Sequence, residues 1–195
     1  MTTANKITIL RILLVPVFLV QLLYYGETGK EWHRILAMLI FLTAAITDGI
    51  DGYIARRYNQ RSELGKILDP LADKLLLVLG LVFLSLNYHG HLEQLPLWLV
   101  ATVLSRDVII VIGMVVIHYT CGKVAVTPHW IGKIATVLQM VCIAWTLLKW
   151  NSTWLETWTL GAALCTGASG LYYIRDGIRQ LSASPSSFPS PPPKD

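Results

Sequence analysis

Four aspartates carry the first hint of chemistry. Asp48, Asp51, Asp69 and Asp73 lie within DGIDGYIARRYNQRSELGKILDPLADK, residues 48–74. Asp48 and Asp51 are three apart and Asp69 and Asp73 four apart, so on helices each pair shares one face. The segment between them, RRYNQRSELG, is polar, ends in Gly65 and reads as a turn joining two antiparallel helices. The two pairs then converge at one depth. Carboxylates gathered in apolar surroundings cost several kcal/mol per ion unless protons or cations compensate. Hard divalent cations with oxygen ligands suit them best: Mg²⁺, Mn²⁺ or Ca²⁺. No neighbouring His or Cys pattern points to zinc. Two cations on shared carboxylates would polarise a diphosphate and stabilise charge on a leaving group. Gly49, Gly52, Ala55 and Gly65 leave room for a ligand or a helix to come close.

The rest of the chain must position these acids. Hydrophobic residues make up 54% of its 195 residues and charged residues 14%, against roughly 25% in soluble domains. Apolar blocks recur at 7–25, 33–47, 74–88, 95–119, 134–149 and 154–174. About 20 apolar residues span a bilayer as helix. The expectation is an all-α integral membrane protein with six transmembrane helices, the acids near the membrane surface between the second and third. Basic residues collect on alternate connections: Lys6 and Arg11; Arg56, Arg57 and Arg61; Lys123 and Lys133; Arg175 and Arg179. By the positive-inside rule both termini and the aspartates face the cytoplasm. Lys30, Arg34 and Lys149 run against that pattern. Five tryptophans (Trp32, Trp98, Trp130, Trp150 and Trp154) fall near helix ends, as interfacial belts do. The N-terminal apolar run contains Arg11 and lacks a cleavage site, so it reads as retained. Cys121, Cys142 and Cys165 show neither metal nor disulfide spacing. The expected division is a membrane domain over 1–180 and a disordered Pro/Ser-rich tail over 181–195.

Buried acids also line ion paths, which makes a cation or proton transporter the rival from another class. A transporter would spread its acids through the membrane depth. Here they cluster at one side of the membrane, beside a turn, and the outer half has no matching charged ladder. A non-catalytic scaffold would not need all four.

Asp48-x-x-Asp51-Gly52-x-x-Ala55-Arg56, eight residues, Gly65, three residues, Asp69, three residues, Asp73 matches the signature of the CDP-alcohol phosphotransferases at every defined position. The resemblance implies the six-helix fold of that family, usually as a homodimer, with a site open to the cytoplasm. It implies displacement of CMP from a CDP-linked lipid by an alcohol hydroxyl. Asp48 and Asp69 would bridge two divalent cations, Mg²⁺ or Mn²⁺. Asp51 would complete the first site and Asp73 the second, and Asp73 would also be the general base. Gly52, Arg56 and Ser62 would hold the CDP portion. NKITILR resembles the family's N-x-x-T element, so Asn5 and Thr8 would join them, and Arg11 extends the pattern of the phosphatidylglycerophosphate synthase branch.

The acceptor is read from the second half. Arg106 and Asp107 lie inside an apolar block, and intramembrane charges are candidates for function. Lys133 adds a cation at the start of the fifth helix, and His129 stands near it. Arg106 and Lys133 would suit an anionic acceptor, because Arg holds phosphate bidentately. Residues 4–150 resemble the phosphatidylglycerophosphate synthases, which implies CDP-diacylglycerol and glycerol 3-phosphate as substrates. It implies lipids rather than nucleic acid as surroundings, and the lack of a cleavable address points to a bacterial inner membrane as location, with a mitochondrial membrane as the alternative. Two positions depart from that branch: Asp107 stands where Glu is common, and Ala135 where Lys is common. The Ser-Arg-Asp stretch also resembles cardiolipin synthases of the same fold, whose acceptor is phosphatidylglycerol.

Overall fold

The computed structural model describes residues 3–58, 63–86, 91–121 and 130–182; within them, the side chains of residues 3–8, 48–58, 63–71, 118, 121, 181 and 182 are not described. The described residues form six α-helices and no strand: α1 (Thr3–Thr28), α2 (Glu31–Tyr58), α3 (Glu63–Ser85), α4 (Leu97–Cys121), α5 (Trp130–Leu148) and α6 (Ser152–Ser182). Each apolar block of the sequence lies almost wholly within one helix. Among the described residues three stretches are long and apolar enough to cross a membrane: Ile9–Thr28, Leu97–Ile117 and Trp130–Leu148. Large apolar side chains face outward, among them Leu10, Leu13, Val17 and Val20 on α1 and Val108, Ile109, Val111, Ile112 and Val115 on α4. Such a surface suits lipid. This is a helical membrane protein.

The helices on either side extend into the polar segment around Arg56. α2 continues to Tyr58 and α3 starts at Glu63, because Arg, Glu, Leu and Lys are good helix formers. Residues 59–62 lie outside the described set, as does the tail from 183.

The core is apolar and shared among helices. Phe18 (α1) packs on Phe41 (α2) with ring centroids 5.8 Å apart. Leu76, Leu81 and Leu84 of α3, Leu99 of α4 and Ile143 and Leu147 of α5 complete it. α6 packs on both α5 and α4. Inside the α5–α6 contact, Gln139 Nε2 donates to Thr166 Oγ1 at 3.0 Å, both buried. Thr166 Oγ1 in turn donates to the Ala162 carbonyl at 2.6 Å. A polar pair inside lipid pins two helices in register.

One end of the bundle is closed by a charged cluster. α1 stops at Gly29, whose φ of 64° is the left-handed cap that glycine favours. Its N–H donates to the Tyr25 carbonyl at 2.9 Å. A Cβ on Gly29 would lie 3.0 Å from His91 Cε1, so the residue also lets the α3–α4 connection close over the turn. Glu31 accepts Lys149 Nζ at 2.8 Å and Arg34 Nε. Arg34 Nη1 also donates to the Leu147 carbonyl, one of the open carbonyls at the end of α5. Lys149 sits over the Tyr25 ring, 5.4 Å from its centroid. Arg34 and Lys149, which run against the charge pattern of the sequence, are thus matched to one carboxylate. Lys149 itself has a φ of 53°. Its N–H donates to the Thr146 carbonyl and that of Trp150 to the Trp145 carbonyl, the paired bonds that end a helix on a left-handed residue. All five tryptophans expected at helix ends are exposed.

Candidate active site

The cluster above gathers the end of α1, the start of α2, the α3–α4 connection and the end of α5. The aspartates therefore belong to the opposite end, where α2 runs into α3. Asp48 and Asp51 are helical residues of α2, and Asp69 and Asp73 of α3. The side chains of Asp48, Asp51 and Asp69 lie outside the described residues; Asp73 is half-buried. Among the described residues no three His, Cys, Asp or Glu side chains gather as a metal site.

α1 packs on α3, and Gly80 marks one point of that contact. A Cβ on Gly80 would lie 3.4 Å from Phe18 Cε1, so these two positions face each other. α1 and α3 run parallel, since both end at the charged cluster. Arg11 precedes Phe18 by seven residues, and Asp73 precedes Gly80 by seven. Arg11 and Asp73 are thus equally far along the chain from that contact, Arg11 with Pro16 in between. Arg11 is 1% exposed, a cation sunk wholly inside the bundle.

Arg106 on α4 sits in a cradle built by three helices. Its Nη2 donates to Ser169 Oγ on α6 at 3.1 Å, and its Nη1 to Asp107 Oδ1 at 2.9 Å. The guanidinium lies over the Tyr173 ring, 5.6 Å from the centroid. Gly132 on α5 makes room for it: a Cβ there would lie 3.1 Å from Nη2 and 3.2 Å from Ser169 Oγ. Gly170 is looser, its added Cβ 3.4 Å from Arg106 Cγ. Among the described residues the buried Nε of Arg106 has no hydrogen-bond acceptor. The adjacent charges of Arg106 and Asp107 pair directly, yet Asp107 does more than neutralise its neighbour. The same Oδ1 accepts Lys74 Nζ of α3 at 2.8 Å. Asp107 therefore ties the Arg106 cradle to the helix of Asp69 and Asp73.

The α5 residue that meets Arg106 is Gly132. Lys133, one position on, is exposed and holds its ammonium over the Trp130 ring, 4.8 Å from the centroid. Ala135, where the phosphatidylglycerophosphate synthase branch commonly has Lys, is 1% exposed. Asn5 and Thr8 lie in α1 and Gly52 and Arg56 in α2, with side chains outside the described residues; Ser62 and His129 lie wholly outside them. The residues that sequence reasoning missed are Lys74, Gly132, Ser169 and Tyr173. Thr166, Ser169 and Tyr173 do mark one polar stripe on an apolar helix, at spacings of three and four. That stripe was the available clue.

Residues 1–168 match the family model described as CDP-alcohol phosphatidyltransferase. The chain is 38% identical over 150 residues to the CDP-diacylglycerol--glycerol-3-phosphate 3-phosphatidyltransferase of Escherichia coli K12, covering 77% of this chain and 78% of that one. The proteins of the same description from Shigella flexneri serotype 5b and Shigella boydii serotype 4 match to the same extent. With the aspartate motif placed on two consecutive helices and a cation cradle tied to the second of them, the chain belongs to the CDP-alcohol phosphatidyltransferase family.

Proposed function

We propose that this protein transfers the phosphatidyl group of CDP-diacylglycerol to glycerol 3-phosphate, releasing CMP and forming phosphatidylglycerophosphate. The observation that carries the reading is the Arg106 cradle, a cation for an anionic acceptor, linked through Asp107 and Lys74 to the helix of Asp73. The relatives named for glycerol 3-phosphate support the same acceptor.

Asp48, Asp51, Asp69 and Asp73 offer only hard oxygen donors, on two helices joined by a short connection, which fits Mg²⁺ or Mn²⁺. Two such ions, when bound, neutralise the diphosphate and stabilise the charge on departing CMP. Asn5, Thr8, Gly52, Arg56 and Ser62 hold the CDP portion. Arg106 and Lys133 bind the acceptor. Asp73 takes the proton of the acceptor hydroxyl as its oxygen bonds to the phosphatidyl phosphorus and the bond from that phosphorus to the CMP oxygen breaks. Six spans with both termini and the site on the cytoplasmic side of a bacterial inner membrane, and a homodimer, complete the reading.

Ala135 favours a second acceptor, phosphatidylglycerol, as in a cardiolipin synthase: an uncharged side chain stands where the phosphatidylglycerophosphate synthase branch commonly has a cation. The experiment is CMP release by the purified protein with CDP-diacylglycerol and Mg²⁺ or Mn²⁺, given glycerol 3-phosphate or phosphatidylglycerol. Release with glycerol 3-phosphate alone is expected. Release with phosphatidylglycerol alone would reassign the acceptor, and release with neither would overturn the transferase.

A further inference from the structure

We infer that Lys74 is a further cation of the acceptor-phosphate subsite, held beside Arg106 by Asp107. This deepens the reading of glycerol 3-phosphate as acceptor and rests on it. One oxygen, Asp107 Oδ1, receives Lys74 Nζ at 2.8 Å and Arg106 Nη1 at 2.9 Å. Sharing that oxygen keeps the ammonium and the guanidinium within reach of a single phosphate. Two cations on one carboxylate leave a positive charge over, which attracts a dianion.

Exposure divides the work between them. The Arg106 and Asp107 side chains are 14% and 17% exposed, and that of Lys74 is 49% exposed. Arg106 is largely enclosed and already donates to Ser169 and Asp107. Lys74 has three N–H donors, of which the contact with Asp107 uses one. An arriving phosphate therefore meets Lys74 first and Arg106 behind it. Lys74 also follows Asp73 directly, about 100° around α3. Lys74 reaches α4 through Asp107. An acceptor anchored at Lys74 by its phosphate has its three-carbon body along the surface of α3, between that anchor and Asp73. Asp107 is a positioning residue here. It touches no substrate but aims both cations.

The alternative is that Lys74 only neutralises Asp107 and pins α3 to α4. Steady-state kinetics of Lys74→Gln, Lys74→Arg, Asp107→Asn and the Lys74→Gln/Asp107→Asn pair separate the two, alongside calorimetric titration of each protein with glycerol 3-phosphate. The inference expects Lys74→Gln to raise KM for glycerol 3-phosphate at least tenfold and weaken its binding equally. KM for CDP-diacylglycerol should move less than twofold. Lys74→Arg should recover most of the loss, and the double variant should stay defective. An unchanged KM for glycerol 3-phosphate in Lys74→Gln, or recovery in the double variant, overturns it. A wild-type protein that uses phosphatidylglycerol but not glycerol 3-phosphate overturns the acceptor reading instead. A wild type that uses glycerol 3-phosphate beside an unaffected Lys74→Gln overturns only the role of Lys74.

Discussion

Arg106 Nη2 donates to Ser169 Oγ at 3.1 Å across the contact between α4 and α6. Inside a bundle a guanidinium is held in place only if its donors find acceptors, and Ser169, 0% exposed, is one of two such acceptors. Ser169→Ala removes it. Hydrogen bonds to charged groups contribute about 1.5–3 kcal/mol, and 1.4 kcal/mol is a factor of about ten. KM for glycerol 3-phosphate is expected to rise about tenfold while KM for CDP-diacylglycerol holds, as measured by initial rates of CMP release.

The two glycines of the cradle should differ. Gly132→Ala brings a carbon 3.1 Å from Arg106 Nη2 and 3.2 Å from Ser169 Oγ, tight on both sides. Gly170→Ala meets Arg106 Cγ at 3.4 Å, an ordinary contact. The first is expected to lower kcat/KM for glycerol 3-phosphate about tenfold or more, which is about 1.4 kcal/mol, and the second by less than about threefold, under about 0.7 kcal/mol. Equal effects would mean that Arg106 does not act from this position.

Asp73→Asn keeps the size and helical position of the side chain but cannot take up the acceptor proton. Transfer is expected to fall to background while the thermal unfolding of the purified protein is unchanged. Full activity in this variant would remove Asp73 from the role of base.

Glu31 sets a pH dependence remote from the site. Its hydrogen bonds with Lys149 and Arg34 hold its carboxyl down at about 2, against an ordinary 4.5. A carboxyl depressed on folding contributes stability that is complete above its unfolded value and is lost as pH falls through the folded one. Stability is therefore expected to decline between about 4.5 and about 2 as this pairing is protonated. Lys149, raised by the same partner, loses its share only in strong base, as pH climbs past 10.5. Glu31→Gln should flatten the acid limb of an unfolding profile in detergent and leave the profile near neutrality with the same shape.

The buried pair of α5 and α6 is asymmetric. Thr166→Val leaves the Gln139 amide without its acceptor, at a cost of about 1–3 kcal/mol. Gln139→Leu leaves Thr166 still donating to the Ala162 carbonyl. Thermal unfolding should show a clear loss for the first variant and little change for the second.

Much of this protein was legible in the chain alone. Six apolar blocks mark six helices, because a backbone in lipid must satisfy its own hydrogen bonds and helix is the form that does so within one segment. The spacing of Asp48, Asp51, Asp69 and Asp73 puts each pair on one helix face, since three- and four-residue intervals are a helix's own period, and the family motif is legible through its resemblance to a known signature. Arg106 and Asp107 stand out because charge inside an apolar run is costly. Tertiary structure alone decided the partners. That Ser169 and Gly132 make the bed of Arg106, 63 residues away in the first case, depends on how α4, α5 and α6 pack. No local period records that packing. Lys74 reads in the sequence as one more cation at a helix end. It becomes the neighbour of Arg106 only because both reach the same oxygen of Asp107, a meeting set by the rotation of α3 against α4. Periodicity shows which face of a helix is apolar. Which residues of two faces touch is a property of the assembled bundle.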